Sequence, residues 1–548
     1  MRLNIRERCQ KVFQAFSAKG YLTIRAIAQT TGISKSSVHR HQQALKRRHQ
    51  HPESEVWESP IGAQWLKRLV IATIFVFCFK RGVGCESLVE FFRLLGLERH
   101  MGVSVSSLRQ IRTQMETQIL DYQRLQQSQL EHPQTPVEAC VSVDETFFDQ
   151  VVLVMLDLPS GFILVEEMSQ DYRYETWQHH TQQALSKLGL NIHYCVSDRA
   201  KALVKLALDE LGCPSIADLF HALRELSQGI GSELSDRLFR VNRRLRELDN
   251  TAANASLKQQ LQVQQSGLEK AQAQYRSILH QLTTTLHPFA IRLGIPQTSK
   301  RVESEFQQQA TILNTLKQTY QLSDKPDSLS KFERQRHDLA AVVDLWWEWV
   351  EQRLSAQNAD LSTGDWVKQY LLPAHYWHQQ SVRTKTPTLK AAYQIAAQQA
   401  QAALMRHPIT TAMSCEPFTL WQTWATSMVT KFQRTSSPVE GRNGYLSQIH
   451  HNRRGLASRR LRVMTTIQNF HLQRSDGLTA AERLFGKPAS DRFEWLVQQR
   501  PVLPQARCKF SQSSAGNSHL TSAPHLHEVR HLILTQVRQV ILTQLRHP

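Results

Sequence analysis

Strand-forming signals in this 548-residue chain are confined to one short stretch, residues 137–220. Apolar runs at 137–148, 151–157, 161–168, 192–196 and 215–220 are separated by turn signals such as Leu158-Pro159-Ser160-Gly161 or by helical spacing at 174–188 and 200–211. The predicted order is β-β-β-α-β-α-β. Beyond Leu226 the strand signals vanish, and residues 60–120 look helical. Such a chain must build one small sheet and cover it with helices.

The strand window carries acids where apolar runs should exclude them. Val141-Ser142-Val143-Asp144-Glu145 puts a carboxylate inside a run. Cys195-Val196-Ser197-Asp198-Arg199 puts another where a run stops. A strand-embedded carboxylate is costly unless it is paired, metal-bound or facing solvent. On neighbouring strands Asp144 and Asp198 would meet. A third acid, Glu440 in Ser437-Pro438-Val439-Glu440-Gly441, lies far downstream. From 441 to 475 follow Arg442, Arg453, Arg454, Arg459, Arg460, Arg462 and Arg474, with no acid. Such a segment can run along phosphates. The plainer reading of Glu440 is an acid favoured by a helix N-terminus. Asp218 ends the last predicted strand, three residues before His221. This pair either stands beside the carboxylates or is a helix cap with a packed histidine.

Two aspartates and a distant glutamate in a chain of net charge +19 point to phosphodiester chemistry. Excess Lys and Arg favour nucleic acid through counterion release. Hard cations prefer carboxylate oxygens, so two Mg²⁺ or Mn²⁺ ions are the expected cofactors. The eight cysteines form no C-x-x-C pair, which argues against a zinc ribbon or a disulfide framework. The N-terminus is charged where a signal peptide needs an apolar core. The most apolar run, 69–79, is too short for a bilayer and suits a buried helix. A cytoplasmic, nucleoid-associated protein without a membrane partner is expected.

Residues 22–49 read as a helix-turn-helix, with Gly32 in the turn and Ser34 as a cap. The second helix carries Lys35, His39, Arg40, Lys46 and Arg47 and no acid, as a recognition helix requires. The alternative is a hairpin with a solvated basic face. Residues 102–112 resemble the entry to a second such helix or belong to a plain helical bundle. In 226–430, Leu261, Leu268, Tyr275 and Leu282 recur every seven residues with Ala271 and Ile278 between them, a short helical seam. Trp346, Trp347, Trp349, Trp366 and Trp377 are expected to pack between helices. The organisation is therefore 1–50 helix-turn-helix, 51–135 helical DNA-binding or dimerisation module, 136–226 first part of the core, 227–430 helical insertion, 431–508 last part of the core and 509–548 a tail.

The element order is that of a ribonuclease-H-like fold. The motif Ser436-Ser437-Pro438-Val439-Glu440-Gly441-Arg442-Asn443 is similar to the glutamate motif of bacterial insertion-sequence transposases. Asp218-Leu219-Phe220-His221 resembles the D-x-x-H motif of transposases with a helical insertion. The chain thus resembles a DDE transposase, over roughly 137–230 and 430–490. It departs from one subgroup's pattern by having Ser436 where an arginine would sit and Ser at 447. The resemblance implies an α/β, ribonuclease-H-like core interrupted by an all-α insertion and preceded by a helix-turn-helix. It implies catalytic Asp144, Asp198 and Glu440 as metal ligands, with Asp218 and His221 beside them. It also implies binding of terminal inverted repeats and target DNA by at least a dimer. Rival expectations are a metal-dependent nuclease or domesticated recombinase, and a non-enzymatic helix-turn-helix regulator.

Overall fold

The computed structural model describes residues 8, 11–15, 23–48, 60–131, 133–248, 255–291, 294–325, 327–453, 455–488, 490–499 and 503–504, without the side chains of 44–48, 99 and 453. Two compact units result, residues 1–51 with 505–548, and residues 52–504. The predicted tail at 509–548, Arg454 and the side chains of Lys46, Arg47 and Arg453 lie outside the described residues.

In the first unit, helices α1 (Ile24–Thr31) and α2 (Lys35–Arg48) follow one another closely. The Thr23 hydroxyl accepts from Ala26 N at 3.3 Å and so satisfies one orphan donor of α1. Gly32 closes α1 at φ +67°, a conformation that costs a glycine nothing and a Cβ-bearing residue strain. Val12, Ile27, Ile33 and Val38, from α1, α2, the turn between them and the segment before them, form this unit's buried core. Lys35, His39 and Arg40 are exposed on α2.

The second unit begins with a helical layer. Helix α3 (Pro60–Thr73) continues as a π-helix over Ile74–Lys80. The apolar run 69–79 is thus part of a longer helix, and Pro60–Lys80 is long and apolar enough to cross a membrane. As expected for a buried helix, the run 69–79 packs one face into the core. One stripe of the longer helix, including Leu66, Val70, Ile74, Phe75 and Phe79, is buried against α4 (Cys85–Leu94) and α5 (Val105–Leu130). Val463, Ile467 and Leu496, from much later in the chain, complete this cluster.

The sheet has five strands: β1 (Val137–Phe147), β2 (Val151–Asp157), β3 (Ile163–Ser169), β4 (Leu190–Ser197) and β5 (Ser215–Ala217). Their order is β3-β2-β1-β4-β5. The first three strands form an antiparallel meander, with Asp144 opposite Val154. Strands β4 and β5 run parallel to β1, with Ser142 opposite Val196 and Ser197 opposite Ala217. The architecture is α/β: a small mixed sheet in a mostly helical chain. Helices α6 (Tyr174–Leu185), α7 (Lys201–Lys205, continuing as a π-helix over Leu206–Glu210) and α8 (Leu219–Leu226) link or follow these strands. One difference matters for function. The last predicted strand stops at Ala217, and Leu219 and Phe220 open α8. The Asp218 carboxylate caps that helix by accepting from Phe220 N at 2.9 Å and His221 N at 3.3 Å. The cap wins over the apolar run.

The period of two decides the faces. Val141, Val143, Leu153 and Met155 pack with Trp177 of α6 and Leu203 and Leu206. Cys140, Val152, Val154 and Leu156 face the other way and share one continuous core with the helical insertion. That insertion contains α9 (Ser232–Glu247), α10 (Ala255–Thr285), α11 (Ser299–Thr319), α12 (Ser328–Ala356), α13 (Leu361–Trp366), α14 (Leu372–Arg383), α15 (Pro387–Arg406), α16 (Pro408–Ala412) and α17 (Cys415–Thr430). The seven-residue seam of α10 is buried at all six positions, Leu261, Leu268, Ala271, Tyr275, Ile278 and Leu282, against α9 and α11. Trp346, Trp349, Trp366 and Trp377 are buried in helix packing, with Trp347 partly so. The chain then returns through α18 (Ser437–Arg453), α19 (Ser458–Phe470), α20 (Ala480–Phe485) and α21 (Arg492–Gln499).

His471, which ends α19, lies edge-on to Phe75 at 4.7 Å and so joins the last helices to the first helical layer. Burial, then the charges of Arg492 and Lys80, lower its pKa to about 4. An unfolded histidine titrates near 6.5. The folded state therefore disfavours the proton. Its contribution is complete above pH ~6.5 and is lost as the pH falls towards about 4. Urea denaturation across that window should show stability falling with acid, and His471→Gln should flatten the slope. An unchanged slope in the variant would assign the acid sensitivity to other groups.

Candidate active site

The parallel strands β1, β4 and β5 deliver their acids to one edge of the sheet. Asp144 lies near the end of β1, Asp198 directly follows β4, and Asp218 directly follows β5. Loops at the carboxyl ends of parallel strands are where open α/β sheets place ligands. Glu440 arrives from the far side of the insertion, and its return path is fixed by hydrogen bonds. The Tyr194 hydroxyl on β4 donates to Lys431 O at 2.5 Å and accepts from Gln433 N at 2.7 Å. Arg434 Nη1 donates to the carbonyls of Thr283 and Leu286 at the end of α10. Ser436 then donates to Asp218 twice, from N at 2.9 Å and from Oγ at 2.5 Å. Helix α18 starts there and carries Glu440 in its first turn.

The result is a compact group. Carboxylate oxygens of Asp144 and Glu440 and a ring nitrogen of His221 all lie within 4.8 Å of one another. His221 Nε2 is 3.3 Å from Glu440 Oε1, and Arg224 Nη1 is 3.5 Å from the same oxygen. His221 Nδ1 is held by Asp218 Oδ2 at 2.6 Å. Asp218 itself is buried and takes five hydrogen bonds: from Phe220, from His221 twice and from Ser436 twice. The helix cap and the functional neighbour, which the sequence leaves as alternatives, are both properties of this one residue. It orients His221 and is not itself a member of the 4.8 Å group.

Electrostatics mark the same spot. Burial holds the Asp144 carboxyl above the usual range, at about 6, and the charges of Glu440 and Asp198 add to this while His221 opposes it. Burial works against the proton on His221. The Asp218 hydrogen bond and the charges of Asp218, Asp144 and Glu440 prevail and raise its pKa to about 9. Perturbed groups of opposite sign gathered at a strand edge mark a candidate functional site. Asn443, one helical turn after Glu440, donates from Nδ2 to Asp144 Oδ2 at 2.8 Å. Its Oδ1 is buried without a hydrogen-bond partner. Asn443 joins the candidate site through this contact, and its position three residues after Glu440 is the signal for it in the sequence. On the other face of β1, burial and then the nearby acids raise Glu145 to about 7, against a 2.9 Å hydrogen bond from Trp177 Nε1.

Asp198 stands apart. It is exposed, accepts from Ala200 N at 2.9 Å and falls outside the 4.8 Å group. Its charge still reaches Asp144 and Glu145. The loop that carries it is tense: Arg199 sits at φ +65°, tied to Ser215 O at 2.8 Å and to Asp338 of α12 at 3.2 Å.

The arginines after Glu440 do not form one uniform row. Arg442 is buried and makes a bidentate pair with Glu166 of β3, at 2.6 and 2.7 Å, while Thr465 donates to the same carboxylate. Two of its five N–H donors are committed to a buried acid and the side chain is almost wholly covered, so Arg442 stands as a structural strut rather than on the exposed basic row that was expected. Arg459 is half-exposed, donates to the Thr117 hydroxyl at 2.5 Å and lies 3.6 Å from Glu116. Arg460 is mostly covered, 3.9 Å from Glu116.

The donor set suits a hard divalent cation. Two converging carboxylates, one raised by burial and then by its like-charged neighbours, and an unpartnered amide oxygen beside them would all gain from positive charge. The third member of the tight group is a histidine, where an all-carboxylate set was expected. One family model, described only as a family of unknown function (DUF6399), matches residues 367–512. That span contains Ser436, Glu440 and Asn443 and excludes Asp144, Asp198, Asp218 and His221. No curated protein matches the chain.

Two outcomes follow from this geometry. In calorimetric Mn²⁺ titrations of the DNA-free protein, Asp144→Asn and Glu440→Gln should each abolish binding, while Asp198→Asn should weaken it less. Equal losses in all three would bring Asp198 into the primary ligand set. Arg442→Gln should lower folding stability by about 3–5 kcal/mol, the cost of leaving a buried acid unpaired. A variant of normal stability with weakened DNA binding would restore Arg442 to the DNA-contacting set.

Proposed function

We propose that this chain is a metal-dependent DNA strand transferase of the DDE type, acting on phosphodiesters at the ends of a mobile element. The observation that carries the reading is the convergence of Asp144, Glu440 and His221 from three distant segments into a group within 4.8 Å. Asp144 and Glu440 are the residues to hold Mg²⁺ or Mn²⁺, with Asp198 on the rim as a third carboxylate. When bound, such ions activate an attacking oxygen and stabilise a leaving one. Asp218 locks the His221 ring through Nδ1, so that Nε2 faces Glu440 and the substrate side. Asn443 fixes the carboxylate of Asp144.

The strand order, with an antiparallel meander on one side of β1 and parallel β4 and β5 on the other, supports a ribonuclease-H-like core. The exposed Lys35, His39 and Arg40 of α2, and a net charge of +19, support DNA binding through a helix-turn-helix. Joining two DNA ends calls for at least two copies of the chain.

The test uses DNA flanking the gene, chosen for imperfect inverted repeats, with Mg²⁺ or Mn²⁺. The full chain should nick or join such DNA and should stop in excess chelator. Asp144→Asn and Glu440→Gln should lose cleavage and keep end binding, because binding rests on arginines and on α2. Removal of residues 1–50 should reduce preference for the ends more than general affinity. Cleavage in excess chelator, or near-normal cleavage by Asp144→Asn, would overturn the reading.

A further inference from the structure

The arginines around the site differ in how firmly they are held. Arg199 is pinned by Ser215 and Asp338, Arg434 by two carbonyls of the α10 end, and Arg442 by Glu166. Arg224 is not. Half of its side chain is exposed, and Glu440 meets it at 3.5 Å. It lies one turn beyond His221 on α8, on the same helix face. Glu440 Oε1 is therefore shared by two cationic groups, one fixed by Asp218 and one on a long, half-solvated arm.

A divalent cation taken up by Asp144 and Glu440 would compete with both. His221 is anchored through Nδ1 and stays in place. A guanidinium is a fixed positive charge, so this contact is relieved by movement of the side chain. Its arm has solvent to move into. At the mouth of such a site, the partner that matches a planar guanidinium is a phosphate, which takes two of its N–H donors at once.

We propose that Arg224 is a phosphate clamp: on metal uptake its guanidinium leaves Glu440 and holds the non-bridging oxygens of the substrate phosphodiester. This inference rests on the phosphodiester reading above. It makes Arg224 a counter-charge for Glu440 in the free protein and a substrate contact in the loaded one.

The experiment compares wild type, Arg224→Ala and Arg224→Lys in three measurements. Mn²⁺ affinity is measured by titration without DNA, DNA affinity is measured against salt with and without Mn²⁺, and single-turnover cleavage is measured at saturating Mn²⁺. Arg224→Ala should bind Mn²⁺ as tightly as wild type or more tightly. It should cleave on the order of 10²-fold more slowly, as when one preorganised charge-stabilising donor is removed, with partial rescue in Arg224→Lys. With Mn²⁺ present, the slope of log affinity against log salt should fall by about one phosphate contact. Weakened Mn²⁺ binding, or full cleavage restored by saturating Mn²⁺, would overturn the clamp and leave Arg224 as a support for Glu440. If wild type cleaves no DNA, the phosphodiester reading fails by itself. The clamp is then judged by the salt slope in Mn²⁺, and a slope equal to wild type overturns it.

Discussion

The carboxylate of Asp218 is the junction on which the site depends. It is buried, and a buried carboxylate is tolerated only when its lone pairs are taken up. Here they accept five hydrogen bonds from three places: the first turn of α8, the ring of His221 and the residue that opens α18. One side chain thus ends the last strand, starts a helix, aims a histidine and receives a segment that returns from more than two hundred residues away. That reception starts α18 beside Asp144, and the Asn443–Asp144 and Arg442–Glu166 contacts then hold the helix there.

The insertion serves the same end. Its helices share one apolar core with the sheet face that carries Asp144. The end of α10 supplies two carbonyls to Arg434, and α12 supplies Asp338 to Arg199. The loop bearing Asp198 and the segment leading to Glu440 are therefore both braced by the insertion. The charge pattern follows. The raised pKa of Asp144, at about 6, records its burial first and then the negative charges of Glu440 and, from further off, Asp198. In the free protein the proton held by His221, up to about pH 9, and the nearby Arg224 compensate for these charges. On the proposed function, these internal cations are what a metal and an anionic substrate would replace.

Much of this was legible from local chemistry. Strands alternate or run apolar between turn residues, and β1 to β4 lie close to where those runs are. The α10 seam is legible because a helical repeat is a property of neighbours in sequence. Asp144 is legible because a carboxylate within Val141-Ser142-Val143 needs a reason. What escaped depends on partners distant in sequence. Nothing near Arg442 announces Glu166 on β3, so an arginine-rich run looked uniform when one member is buried. Nothing near Asp198 announces how far its loop carries it from Glu440. Leu219 and Phe220 read as strand because the capping strength of Asp218 outweighs their apolar character only once the chain turns. Asn443 was visible in spacing but gains meaning only when α18 is laid against β1.

The central claim is that Asp144 and Glu440 close around a divalent cation beside His221. Anomalous diffraction at the manganese edge, from crystals of the full chain grown with Mn²⁺ and DNA, tests it most directly. The account predicts a peak at carboxylate-ligand distance, about 2.0–2.2 Å for a small hard cation, from oxygens of both Asp144 and Glu440. Manganese bound elsewhere, or no peak between these two carboxylates at saturating Mn²⁺, would contradict it.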